Sequence, residues 1–255
     1  MTINIIGSGK VAFHLSKRLH ACGLTIHQIY SRQLDKALQL ATAVNAQGIS
    51  RWKDVQADGV DLIIIAVSDQ AIPEVAKALA KHLPNPPLVV HTSGSSPLNW
   101  LSDFLPRTGI FYPLQSFSWG REPNFAEIPM CIEAQHSADE KLLLELAQRI
   151  SQKVQLTTEA DRKTLHLAAV FVNNFVNELY QIGAAILAEK NLPFDLLLPL
   201  IQETAAKVQA QTPAEMQTGP ALRGDLATIE RQLDLLEAHP EWRELYGLMT
   251  GLIRG

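Results

Sequence analysis

The sequence predicts an α/β domain built on a doubly wound parallel sheet, followed by an all-α domain, and three observations carry that expectation. Short β-rich runs alternate with helical patterns up to about residue 157. The first four of those runs are largely apolar rather than strictly alternating, as in parallel strands covered on both faces. Beyond Thr158 the β signal disappears and helical patterns remain. The domains are therefore expected at 1–157 and 158–255.

Strands are expected at Ile3–Ile6, Thr25–Tyr30, Leu62–Val67, Leu88–His91, Gly109–Tyr112, Met130–Glu133 and Val154–Leu156. Helical stretches at Val11–Ala21, Leu34–Ala43, Ala71–His82 and Ala138–Gln152 fill the gaps. Strand, helix and strand in repetition read as right-handed crossovers of a parallel sheet. From Ala160 to Lys190 the chain has no proline and only Gly183, a run longer than an ordinary globular helix. Pro193 closes it, a helix over about Asp195–Ala210 follows, and two more come after Gly224 and Pro240.

Composition excludes several classes. With 47% hydrophobic and 19% charged residues in 255, the chain can bury a substantial core. A net charge of −4 argues against a nucleic-acid surface. Cys22 and Cys131 form no metal or redox spacing, so no metal is expected and both read as thiols in a reducing compartment. No signal peptide and no run long enough to span a bilayer are seen, so a cytoplasmic protein without membrane partners is expected.

Gly7-Ser8-Gly9-Lys10-Val11-Ala12 fits G-x-G-x-x-G/A between an apolar strand and an amphipathic helix. Gly7 permits the tight turn, Gly9 lets the backbone approach a pyrophosphate, and Ala12 lets helix and strand pack closely. The helix N-terminus then aims free N–H groups at the phosphates. The second strand ends in Ser31-Arg32, with no carboxylate before Asp35. A hydroxyl beside a guanidinium suits a ribose 2′-phosphate, which favours NADP over NAD. At the end of the strand Leu62–Val67, Val67 and Ser68 would lie along the cofactor, while Asp69 either joins them or caps the next helix.

Chemistry is expected at two further places. "VVHTSGSSP", Val89–Pro97, sets hydroxyls around a glycine at a strand end; helix capping explains Ser95 or Ser96 better than His91 or Ser93. In "LHLAAVFVNNFVNELY", Leu165–Tyr180, an unbroken α-helix would hold His166, Asn173 and Asn177 within about 40° of one another. Asn174 lies roughly a further quarter-turn away by that geometry. Buried asparagines need partners, so they either tie the helix to neighbouring loops or hold a substrate atom, with His166 as proton donor. Arg223 in "QTGPALRGDLATI" either grips a carboxylate or pairs locally, and Asp225 fits a helix N-cap.

With those residues in place, the chain resembles the 6-phosphogluconate dehydrogenase-like superfamily of NADP-dependent reductases. That superfamily includes 3-hydroxyisobutyrate dehydrogenase, ketopantoate reductase and pyrroline-5-carboxylate reductase. The resemblance covers the whole length and implies a Rossmann domain followed by a helical domain that often dimerises. "HTSGSSPL", "FYPLQSF", "LHLAAVFVNNFVN" and "TGPALRGD" more narrowly resemble a bacterial branch of Rossmann-like proteins whose helical domain has no assigned function. Matched to the family pattern, Ser93 falls on the substrate-binding serine and Asn173-Asn174 on its paired asparagines. Val170 stands where the family has its general-acid lysine, and His166, one turn earlier, is the group that would replace it.

The resemblance and the residues together imply an NADP-dependent oxidoreductase moving hydride to or from a small polar carbonyl, alcohol or imine. Ser93, His166, Asn173 and Asn174 would be catalytic, and Gly7, Ser8, Gly9, Lys10, Val11, Ser31, Arg32, Val67 and Ser68 would hold NADPH. Ser93, Tyr112, Gln115, Asn177 and Arg223 would bind substrate. The apolar surplus of the helical half implies a homodimer. The rival reading is a non-catalytic NADP-binding sensor or scaffold, which Val170 supports.

Overall fold

In chain order the first half runs β1 (Thr2–Ile6), α1 (Lys10–Ala21), β2 (Thr25–Tyr30), α2 (Leu34–Ala43), β3 (Gln47–Ile49), β4 (Leu62–Ile65), α3 (Ile72–His82) and β5 (Leu88–His91). It continues through α4 (Asn99–Ser102), β6 (Thr108–Pro113), β7 (Met130–Ala134), α5 (Ser137–Ile150), β8 (Val154–Leu156) and α6 (Glu159–Ala169). The helical half holds α7 (Val176–Ala188), α8 (Leu198–Ala210), α9 (Pro220–Arg223), α10 (Leu226–Leu235) and α11 (Pro240–Arg254). This computed structural model describes residues 1–255 and divides them into units Met1–Asn173 and Asn174–Gly255, so α6 belongs with the sheet. No helix is long and apolar enough to cross a membrane.

The sheet has eight strands in the order β3-β2-β1-β4-β5-β6-β7-β8. Chain order reverses beside β1, which opens a crevice at the carboxyl ends of its strands. The continuous apolar runs serve both faces. Leu62 and Ile64 pack with Leu15 and Leu19 of α1, whereas Ile63 and Ile65 pack with Ile72, Val75 and Leu79 of α3. Every residue of β4, β5 and β6 is buried.

Three features depart from the sequence reading. β3 was not among the expected strands; it is a three-residue edge carrying Gln47 and Gly48, with no apolar run to mark it. Its glycine is required by packing, since a Cβ there would stand 2.8 Å from the Leu38 backbone nitrogen. β7 pairs antiparallel with β6, because no crossover helix separates them, and β8 then pairs parallel with β7 across α5.

The third departure is in the long helical run. Val170–Phe175 is a π-helix between α6 and α7. A π turn closes i→i+5 bonds and so advances less per residue than an α turn. The 100° spacing that grouped His166 with Asn173 and Asn177 therefore does not hold across this stretch. Asn173 and Asn174 lie within the π turn, both exposed, and Asn177 is exposed on α7.

Candidate active site

The nucleotide end is built at the β1–α1 turn. Gly7 has φ +131°, and a Cβ on it would collide with the Ala66 carbonyl oxygen at the end of β4. Gly9, the α1 N-cap, is extended, and a Cβ on it would meet no atom of the chain within 4 Å. Gly7 is thus required by the fold, while the space over Gly9 stays open at a helix N-terminus, where a phosphate is favoured. Ser8 Oγ donates to Ser31 Oγ at 2.8 Å, which ties this turn to the end of β2.

These residues open onto a crevice of about 530 Å³. Gly7, Ser8, Gly9, Lys10, Val11, Ser31, Arg32, Val67 and Ser68 all line it, together with Gln115 and Phe117 from beyond β6. The residues present fit a dinucleotide: a phosphate seat in the middle, and the exposed Arg32 guanidinium at the β2 end. Trp52, stacked on Tyr30 at 4.0 Å and 22°, adds an aromatic wall on the Arg32 side. Sequence reading missed Trp52 because it stands in an isolated 3₁₀ turn, without periodicity.

The loop after β5 is tightly organised. Ser93 is buried, and its Oγ accepts from the N–H groups of Ser95 and Ser96 at 3.2 and 3.0 Å while donating to Ser96 Oγ at 2.8 Å. Its hydroxyl is committed to shaping the loop. Ser95 is the exposed hydroxyl, donating to Asp69 Oδ2 at 2.6 Å. Asp69 makes no side-chain cap to the helix that follows it.

His91 is fully buried, and its Nδ1 accepts from the Ser93 N–H at 3.1 Å. Burial, then the charge of Arg162, lowers its pKa to about 4 against weaker opposition from the Pro97 carbonyl, Asp69 and Glu159. The ring is neutral, with its proton on Nε2.

Arg162, from α6, lies beneath this loop with no exposure. Its Nη1 donates to the carbonyls of Ser93, Gly94 and Ser96 at 3.4, 3.1 and 2.7 Å, and its Nη2 pairs with Glu133 at 3.4 Å. Burial raises the Glu133 carboxyl above its usual range, and Arg162 pulls it back. Sequence reading missed Arg162 because "EADRKT" reads as a solvated, charged first turn.

One turn further on, His166 reaches the same loop. Its Nδ1 stands 3.3 Å from the Tyr112 hydroxyl, at the end of β6. Both side chains close over Gly94, where a Cβ would lie 2.7 Å from His166 Nδ1 and 2.8 Å from Tyr112 Oη. Burial pushes the Tyr112 phenol up to about 12, so it stays protonated at neutral pH. His166, Tyr112 and the Ser93 loop are thus brought together, as the sequence suggested.

In the second unit, Arg223 is exposed at the end of α9, and Asp225 caps α10 through the Thr228 N–H at 3.1 Å.

Comparison with known proteins bears on this arrangement. Residues 2–94 match the family described as "NADP oxidoreductase coenzyme F420-dependent", and residues 128–253 match a domain of unknown function. No curated protein matches the chain. Among solved structures, the "putative NADP oxidoreductase BF3122" of Bacteroides fragilis is 39% identical, with a TM-score of 0.93, over 99% of this chain and 97% of its own. Protein TM1727 of Thermotoga maritima is 22% identical with a TM-score of 0.81, over 99% of this chain and 98% of its own. An imine reductase of Myxococcus stipitatus in complex with NADP+ shares the fold at 19% identity, with a TM-score of 0.64 over 100% of this chain and 93% of its own. With a Rossmann sheet, a glycine turn opening on a crevice, and 39% identity to the Bacteroides protein over nearly the whole of both chains, the chain belongs to the NADP oxidoreductase family.

Proposed function

We propose that this chain uses NADPH to reduce a small polar C=N or C=O compound, or runs the reverse oxidation. One observation carries the reading: Gly7, Ser8, Gly9, Lys10, Val11, Ser31, Arg32, Val67 and Ser68 all line a single crevice. Val67 and Ser68, on the other side of β1, lead toward the ends of β5 and β6, where the Tyr112–His166 pair stands. NADPH, when bound, supplies the hydride. His166 supplies the proton that the missing lysine would have given, and Tyr112, hydrogen-bonded to it, orients the substrate heteroatom. Ser93 acts by shaping its loop. Asn173, Asn174, Asn177 and Arg223 are proposed as substrate contacts, with Arg223 suited to a carboxylate.

In this reading residues 1–157 form the cofactor domain, and 158–255 carry substrate and dimer contacts. Support for a small amine or imine substrate comes from the neighbours of the same fold, which include imine reductases and pyrroline-5-carboxylate reductases. The test is a calorimetric titration with NADPH and NADH, followed by NADPH oxidation with keto acids, aldehydes and cyclic imines. NADPH should bind more tightly than NADH, and Arg32→Ala should weaken NADPH roughly 10- to 100-fold, as expected for a lost charged hydrogen bond. Equal binding of both nucleotides, or an unchanged Arg32→Ala variant, would remove the NADP assignment.

A further inference from the structure

The turn after β6, Leu114–Phe117, brings Gln115 and Phe117 into the lining of the crevice. β2 lies one strand from β1 on one side, and β6 lies three strands from β1 on the other. At about 4.8 Å per strand, the end of β6 stands about 14 Å across the sheet from the phosphate turn. A dinucleotide with its phosphates at Gly7–Val11 and its 2′-phosphate at Arg32 therefore extends its other half over the ends of β4, β5 and β6. Gln115 and Phe117 follow directly on β6 in the chain and line the crevice.

The position of Gln115 is set by its surroundings. Its backbone N–H donates to the Pro113 carbonyl at 2.9 Å, and its Oε1 accepts from the Ser116 N–H at 2.8 Å. With Oε1 engaged, the amide NH₂ is the end left to donate. Phe117 is buried and stacks on His14 at 5.5 Å, and His14 Nε2 is 2.9 Å from the Ser118 carbonyl oxygen. His14 belongs to α1, whose N-terminus forms the phosphate seat. The turn is therefore pinned to the helix that would hold the phosphates.

We propose that Gln115 is a cofactor residue, whose side-chain NH₂ donates to the carboxamide oxygen of the nicotinamide and so fixes the ring at the end of β6. This rests on the NADPH reading above, and it moves Gln115 from substrate to cofactor.

The experiment compares NADPH with 2′-phospho-ADP-ribose, which lacks only the nicotinamide ring, by calorimetry on the full chain without substrate. Gln115→Met keeps the length of the side chain and removes its amide. It should weaken NADPH about tenfold, as for the loss of one hydrogen bond, and leave 2′-phospho-ADP-ribose unchanged. Unchanged NADPH binding, or equal weakening of both ligands, overturns the assignment. A residue that touched substrate alone would give the first of those results. If the wild-type protein binds both ligands equally, the nicotinamide is not held and this proposal fails while the nucleotide reading stands. If it binds neither, both fall.

Discussion

At the scale of single residues, two glycines of one motif do different work. Gly7 is demanded by the chain itself, through its positive φ and the Ala66 carbonyl beside it. A Cβ on Gly9 would meet no other part of the chain within 4 Å, and its backbone is one that any residue adopts. Gly7→Ala should therefore lower the unfolding free energy by several kcal/mol, as severe overpacking and φ strain do. Gly9→Ala should cost at most about 1 kcal/mol of stability, yet weaken NADPH at least tenfold by filling the space over the helix N-terminus. Urea unfolding and NADPH titration of the two variants separate the effects. A Gly9→Ala protein that binds NADPH normally would remove the phosphate seat from that turn.

At the scale of elements, the loop after β5 is the most constrained part of the site. Buried Arg162 holds three of its carbonyls, the Ser93 hydroxyl caps its turn, and neutral His91 accepts the Ser93 N–H. The His91 pKa in the folded chain, about 4, lies below the ordinary imidazole value of 6.5. The unfolded chain therefore binds the extra proton first, and stability present above pH 6.5 is lost as pH falls toward 4. Between pH 7 and 5 the loss from this group should be about 2 kcal/mol. Urea unfolding at the two pH values measures it, and His91→Asn should shrink the difference. A pH dependence that survives His91→Asn would place its origin elsewhere.

At the scale of the whole molecule, the helical unit is short of buried surface. Among residues 174–255 only Ala221 and Ile229 are buried, while Leu196, Leu200, Leu235, Leu248 and Leu252 are each more than 60% exposed. Helices derive most of their stability from packing an apolar face, and exposed apolar patches of this kind mark interfaces. A second copy of the chain is the cover we expect. Sedimentation equilibrium should show a dimer, and Leu248→Glu combined with Leu252→Glu on α11 should shift it to monomer. A wild-type protein that stays monomeric at tens of micromolar would rule this out.

Much of this was legible in the residues. The sheet was readable because parallel strands buried on both faces leave continuous apolar runs, and the glycine turn because only certain residues fit its backbone. The position of Ser31-Arg32 on the crevice was readable because a strand end in such a sheet has a fixed relation to it. By itself the sequence determined the two-part architecture and the glycine turn at the head of the sheet. Only the tertiary structure decided the rest. A three-residue edge strand has too few side chains to leave a pattern, and an antiparallel β7 follows from a missing crossover. A π turn leaves the composition of a helix unchanged while altering which residues share a face. Arg162 and Trp52 look like ordinary surface residues until distant segments fold around them. The roles of Ser93 and Gln115 rest on which of their atoms already have partners, and hydrogen bonds between segments remote in sequence are set only when the chain is folded.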